Sequence, residues 1–189
     1  MRHLVLICIV GCADKIEHHV SPDASQVQPD ASGSGLASVP VRATTTPNAD
    51  GSFTTIVDST SETEWTNFDF ETKANLDASG AWDLRAQRFH ISTNNAGNAK
   101  VAPLAQTFAA TTTAPTDPAA YLQDTDAATY AFDEGDSWYD YNVDTHVLTP
   151  KPLTYVVQTD GGSTVKLEII KYYDAAGTSG FFTWHWAPL

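Results

Sequence analysis

LTYVVQTDGGSTVKLEIIKYY, Leu153 to Tyr173, is the stretch that decides the fold. Val165, Leu167 and Ile169 alternate with Lys166 and Glu168, the two-residue period of a strand with one buried face, and Leu153 to Thr159 supplies a partner strand. Between them Asp160-Gly161-Gly162 offers the positive φ angles a tight turn needs, so the stretch reads as a β-hairpin. A second turn, Asp174 to Gly180, leads into Phe181-Phe182-Thr183-Trp184-His185-Trp186. The last third of the chain is therefore expected to be a three-stranded antiparallel meander, with Trp184 and Trp186 on one face and His185 on the other.

Working outward, further strand candidates are Phe53 to Val57, Thr63 to Phe70, Trp82 to Thr93 and Ser137 to Tyr141, separated by Gly, Asn, Asp or Pro. The run WDLRAQRFHISTNNAG, Trp82 to Gly97, reads as one strand-like segment closed by Asn-Asn-Ala-Gly. Alternation along it sends Phe89 and Ile91 to one face and sets His90 beside Arg88 on the other. Residues 102 to 130 are broken by Pro103, Thr111 to Thr113, Pro115 and Pro118. They are expected to form a functional or mobile loop, with at most a short helix between Ala119 and Thr129. The expected fold is all-β: a single antiparallel β-rich domain over 51–189, without internal repeats, after a disordered N-terminal tether.

The N-terminus reads as an address. Arg2 and His3 precede an apolar run from Leu4 to Val10, then Gly11 and Cys12. Ile9-Val10-Gly11-Cys12 matches a bacterial lipobox, so residues 1–11 are expected to be a lipoprotein signal peptide and Cys12 the lipidated first residue. Palmitate-type acyl chains on Cys12 anchor a protein more firmly when several are present than when one is. Ala13 stands where an inner-membrane retention aspartate would, which favours the outer membrane. Residues 12–50, rich in Ala, Ser, Thr, Pro and Asp without apolar periodicity, suit a flexible tether.

Processing removes Cys8 and acylates Cys12, leaving no free thiol, and Met1 is also lost. Any metal in the domain must then be held by His, Tyr, Asp, Glu or Asn. The formal charge of -13 becomes -14 once Arg2 is removed, which argues against nucleic acid or an anionic membrane face as a partner. An anionic ligand needs a local concentration of cations, and Arg85, Arg88 and Lys100 form the one such cluster in the sequence.

His18 and His19 lie in the expected tether, where an adjacent pair could capture metal adventitiously but is expected to carry no function. His185, between two tryptophans, is expected to face solvent from its strand. His90 and His146 are better placed, the latter where a loop enters the meander. Asp124, Asp126, Asp133, Glu134 and Asp136 lack the glycine and distal glutamate of a calcium loop and read as a solvated acidic loop. No nucleophile elbow, zinc-protease helix or phosphate-binding loop occurs, so a non-enzymatic protein is expected.

Trp82-Asp83-Leu84, Arg88-Phe89-His90-Ile91 with Thr93-Asn94, and Trp138-Tyr139 carry a family resemblance. So do Tyr155-Val156-Val157 with Asp160-Gly161 and Lys166-Leu167, then Tyr172-Tyr173 and Gly180. Over roughly Thr63 to Trp186 the chain resembles the HmuY-like family of bacterial surface lipoproteins. The resemblance implies an all-β architecture at the outer membrane, with haem as cofactor and a role in iron acquisition. The best-known members bind haem iron through two side chains, histidines in some and methionines in others.

Transferred to this chain, haem held from both faces needs two imidazoles about 4 Å apart, nitrogen to nitrogen. His90 with His146 is the preferred pair, His185 an alternative, and Tyr139 or Tyr141 can replace one, since tyrosinate binds ferric iron. Arg85, Arg88 or Lys151 would meet the propionates. The expected function is capture of haem or a related porphyrin and hand-off to an outer-membrane haem transporter. The alternative is a tethered β-domain that binds protein or carbohydrate through exposed tryptophans or the 102–130 loop, with structural histidines. Two histidines approaching across an open apolar slot would mark the first reading; three buried in separate hydrogen bonds would mark the second.

Overall fold

The computed structural model describes residues 38–125, 129–133 and 137–189; Cys12, the tether histidines and Asp126, Glu134 and Asp136 lie outside them. The strands, in chain order, are β1 (Ala43–Pro47), β2 (Phe53–Asp58), β3 (Thr66–Asp69), β4 (Ala74–Leu76), β5 (Leu84–Gln87) and β6 (His90–Thr93). They continue with β7 (Lys100–Leu104), β8 (Tyr139–Asn142), β9 (Val147–Pro150), β10 (Thr154–Gln158), β11 (Thr164–Tyr173) and β12 (Ser179–Pro188). A six-stranded sheet runs β1-β2-β12-β11-β10-β7, a four-stranded sheet β4-β3-β5-β6, and β8-β9 stand as a hairpin. Every pairing is antiparallel.

The meander β10-β11-β12 is present as its alternation requires. Val165, Leu167 and Ile169 are buried, and Phe182, Trp184 and Trp186 point to the same core. Trp184 and Trp186 meet Phe68 and Phe70 edge-on at 5.8 and 5.0 Å, which joins the two larger sheets through one aromatic core. β11 changes phase after Ile169, where its register against β12 shifts. The irregularity leaves Ile170 and Lys171 both exposed and turns Tyr172 inward, so the end of the strand presents two tyrosines in a direction that strict alternation would not.

The Trp82–Gly97 run is not one strand. It folds back at Arg88-Phe89, pairing Gln87 with His90 and Ala86 with Ile91. The first residue of this two-residue turn, Arg88, has φ 49°, a conformation for which glycine is the usual occupant. Tertiary bonds supply what the turn chemistry lacks. The Arg88 N–H donates to the Ser59 carbonyl, Ser59 Oγ donates to the Arg88 carbonyl at 2.7 Å, and the guanidinium reaches the Thr60 carbonyl at 3.0 Å. His90 consequently shares a face with Arg85 and Gln87, and Arg88 leaves it for the opposite end of the turn.

Three further expectations change. β1 lies within the stretch read as tether, so the sheet begins at Ala43 and not at 51; its ATTTP sequence has no apolar alternation to reveal it. The described part of 102 to 130 is tied down at several points: β7 pairs with β10, a 3-10 turn spans Pro118–Ala120, and Lys166 Nζ donates to the Phe108 and Thr111 carbonyls at 2.9 Å. Asp124 is no solvated acid. It is buried and accepts from the Thr93 N–H, Thr93 Oγ1 and the Ala131 N–H.

Candidate functional site

The site grows from the β8–β9 hairpin. Asn142 Oδ1 accepts from the N–H groups of Asp144 and Thr145, and its carbonyl accepts from the His146 N–H, which folds the connection Val143 to His146. His146 closes that turn at φ 57°, left-handed backbone that a non-glycine residue occupies at a cost of about 1–3 kcal/mol. Tyr139 and Tyr141, two residues apart on β8, share a face, and Leu148 on β9 pairs with Tyr141. The Leu148 N–H donates to Tyr173 Oη at 2.9 Å, which docks the hairpin on the end of β11.

Between hairpin and body lies an open cleft of about 390 Å³, within the range of small-molecule sites. The hairpin contributes Tyr139, Tyr141, His146 and Leu148; the β5–β6 turn contributes Arg88 and Phe89; β11 and β12 contribute Tyr172, Tyr173 and Ser179. Its surface is largely aromatic. Tyr141 Oη and His146 Nδ1 are hydrogen-bonded to each other at the cleft. Arg88 uses two of its five donors on Thr60 and Ser179, and the rest are available for a ligand. Burial pushes the Tyr139 and Tyr172 phenols above their usual range, Asp133 adding to the effect at Tyr139 and Arg88 opposing it at Tyr172.

Of the residues expected to act on haem, the structure thus gathers His146, Tyr139, Tyr141 and Arg88 in one place. It does not assemble the His90–His146 pair. His90 is not among the cleft residues; its ring packs on Phe89 and Tyr130, with Nδ1 3.5 Å from Asp133 Oδ2. Burial raises the Asp133 carboxyl despite that neighbour. His185 does not face solvent: it is half-buried, stacked on Phe108 at 4.1 Å, with Nδ1 2.7 Å from Glu168 Oε1 and Nε2 2.9 Å from Ser52 Oγ. Both nitrogens are engaged, which removes it as a ligand.

Arg85 is also elsewhere. Its guanidinium lies over the rings of Trp65 and Trp82 at 4.3 and 5.0 Å, and its Nε donates to Ser92 Oγ. Lys151, 3.9 Å from Asp140, stands at the base of the hairpin outside the cleft lining. The three histidines therefore sit in separate hydrogen bonds, but His146 is exposed at the open slot and not buried. Trp82, Trp138, Trp184 and Trp186 are buried, so of the tryptophans the protein- or carbohydrate-binding alternative retains only the half-buried Trp65. Phe89, Leu148, Tyr172, Tyr173 and Ser179 were not foreseen as site residues. The adjacent pair Tyr172-Tyr173 is the sequence signal for them, because consecutive aromatics at the end of an alternating strand break its period.

Comparison with known proteins agrees with the fold. No curated protein sequence matches the chain. The apo form of an HmuY analog from Tannerella forsythia superposes with a TM-score of 0.58 at 15% identity, covering 78% of this chain and 97% of that one. A Bacteroides vulgatus protein assigned as HmuY-like and heme-binding gives 0.57 at 18% identity over 77% and 96%. A Bacteroides fragilis protein assigned as a lipoprotein gives 0.55 at 18% over 75% and 93%. At these identities the likeness is one of fold. The family model described as HmuY protein matches residues 61–186, two thirds of the sequence, and the chain belongs to the HmuY family.

Proposed function

We propose that this chain is a non-catalytic haem-binding lipoprotein, held at the outer membrane by lipid on Cys12, that captures haem and passes it to an uptake transporter. The observation that carries the reading is the cleft between the β8–β9 hairpin and the body. It combines flat aromatic walls, a cation and two metal-capable side chains, which are what an amphipathic metalloporphyrin with two carboxylates demands.

The residues fit the group. Phe89, Tyr139, Tyr172 and Tyr173 offer apolar surface to a planar ring. Arg88, with donors to spare in a chain of net charge -13, is placed to meet a carboxylate that the rest of the surface would repel. His146 and Tyr141 are the donors nearest to hand for iron, and His90 stays outside the ligand set because it does not line the cleft. When bound, haem would supply a ferric ion that takes side-chain ligands, and the protein would supply shape, charge and those ligands. Of the described residues, no helix is long and apolar enough to cross a membrane, so attachment rests on the lipobox.

Titration of the purified chain with haemin, followed at the Soret band, tests this. The expected result is saturable binding that weakens in Arg88→Ala and His146→Ala and is unchanged in His90→Ala. Binding no better than to an unrelated acidic protein would contradict it.

A further inference from the structure

We infer that Tyr141, not a histidine, is the side chain that meets the iron, and that His146 serves it as a positioning residue and proton acceptor. The inference rests on the haem reading above and refines it. Its basis is the hydrogen bond between Tyr141 Oη and His146 Nδ1 at the open cleft.

The direction of that bond decides which atom is free. A phenol O–H is a far better donor than a neutral imidazole N–H, and an imidazole nitrogen is a far better acceptor than a phenol oxygen. Nδ1 therefore accepts, and the neutral ring carries its one proton on Nε2. In that tautomer neither ring nitrogen has a lone pair to give. The Tyr141 oxygen does. On coordination the Tyr141 O–H bond breaks, its proton forms an N–H bond with His146 Nδ1, and the freed phenolate pair is offered to the ferric ion. No electron changes hands, and the imidazolium stays beside the oxygen it activated.

Two further observations agree. His146 is the one imidazole among the residues lining the cleft, so a ligand pair of two histidines cannot be drawn from it. His146 also holds a left-handed conformation that glycine would adopt at less cost, with Asn142 bracing the turn around it. The backbone strain places the ring against Tyr141, which is 49% exposed and so accessible to a ligand from outside.

The test has an arm that needs no haem. In the apo protein, nitrogen NMR of the imidazoles is expected to show His146 with Nδ1 unprotonated and Nε2 protonated; the reverse tautomer overturns the inference. With ferric haemin, resonance Raman of the wild-type chain is expected to show phenolate–iron modes with a high-spin ferric signal. Tyr141→Phe, which keeps the ring and the hairpin, should abolish those modes and weaken binding at least about tenfold, and His146→Gly should keep them while weakening binding about 10–100-fold. A low-spin, imidazole-type signal that survives Tyr141→Phe overturns the ligand assignment and leaves the haem reading standing. A wild-type chain that binds no haemin overturns both.

Discussion

Ser59 and Arg88 hold each other's backbone: the Arg88 N–H donates to the Ser59 carbonyl at 2.6 Å, and Ser59 Oγ returns a bond to the Arg88 carbonyl at 2.7 Å. The same hydroxyl lies 3.0 Å from the Gly180 carbonyl, so one buried serine joins the β5–β6 turn to β12. Gly180 permits the approach, since a Cβ there would stand 2.9 Å from Thr60 Cα. Ser59→Ala removes the donor to the Arg88 carbonyl, while the Gly180 carbonyl keeps the Ser59 N–H at 2.7 Å. We expect a loss of about 1–3 kcal/mol in urea unfolding together with weaker haemin binding, because Arg88 and Phe89 leave their places in the cleft. Unchanged stability would show that the turn does not depend on this bond.

Asp83 sets a pH dependence of its own. It is fully buried, accepts the Phe70 and Asp160 N–H groups at 2.8 and 2.7 Å, and lies with Asp69 and Glu71 in a cluster whose oxygens are within 4.8 Å of one another. Burial, opposed by those two bonds and reinforced by the neighbouring acids, raises its pKa to about 7. An unfolded aspartate titrates at about 3.9, so the folded chain holds the extra proton between these values. The stability linked to Asp83 is complete below about pH 4 and is lost as pH rises through about 7, with a slope of up to about 1.4 kcal/mol per pH unit. Urea unfolding across that window should show the decline in the wild type and a flatter line in Asp83→Asn. A wild-type stability that rises from pH 4 to 7 would contradict it.

His185 should separate structure from binding. Its bonds to Glu168 and Ser52 and its stack on Phe108 tie β12 to β11, to the start of β2 and to the segment after β7. His185→Ala is expected to lower unfolding free energy by about 1–3 kcal/mol and to leave the haemin titration unaltered. A spectral change in the haem complex would mean that the ring has a second role.

The proposed membrane attachment is through Cys12. Cells fed labelled palmitate should incorporate it into the wild-type chain, which fractionates with outer membranes, and not into Cys12→Ser, which becomes soluble. Equal labelling of both would remove the lipobox reading.

The parts of the fold that were legible in the sequence share one property: local pattern and tertiary demand agree. Leu153 to Tyr173 carries both alternation and Asp-Gly-Gly, so β10 and β11 could be read off directly. At Arg88-Phe89 the two disagree. No glycine or asparagine marks the turn, and the bonds that make it come from Ser59 and Thr60, far away in the chain. β1 is hidden for a related reason, because three consecutive threonines on an edge strand give no apolar alternation.

The site was legible by residue type and not by assembly. Arg88, Tyr139, Tyr141 and His146 could be picked as cation and metal donors, but their meeting depends on an irregularity in β11 and a docked hairpin that no spacing reveals. His90 and Arg85 illustrate the converse. Alternation set His90 beside Arg88 and Arg85 on the opposite face, and a turn two residues long brings His90 onto the face of Arg85, away from Arg88.

Hydrogen-exchange mass spectrometry of the purified chain with and without haemin reaches the central claim most directly. The account predicts added protection confined to the β5–β6 turn at Arg88-Phe89, the β8–β9 hairpin from Tyr139 to Leu148, and the segment from Tyr172 to Ser179. Protection centred on Trp65 and Arg85, or none anywhere under conditions where haemin is bound, would contradict it.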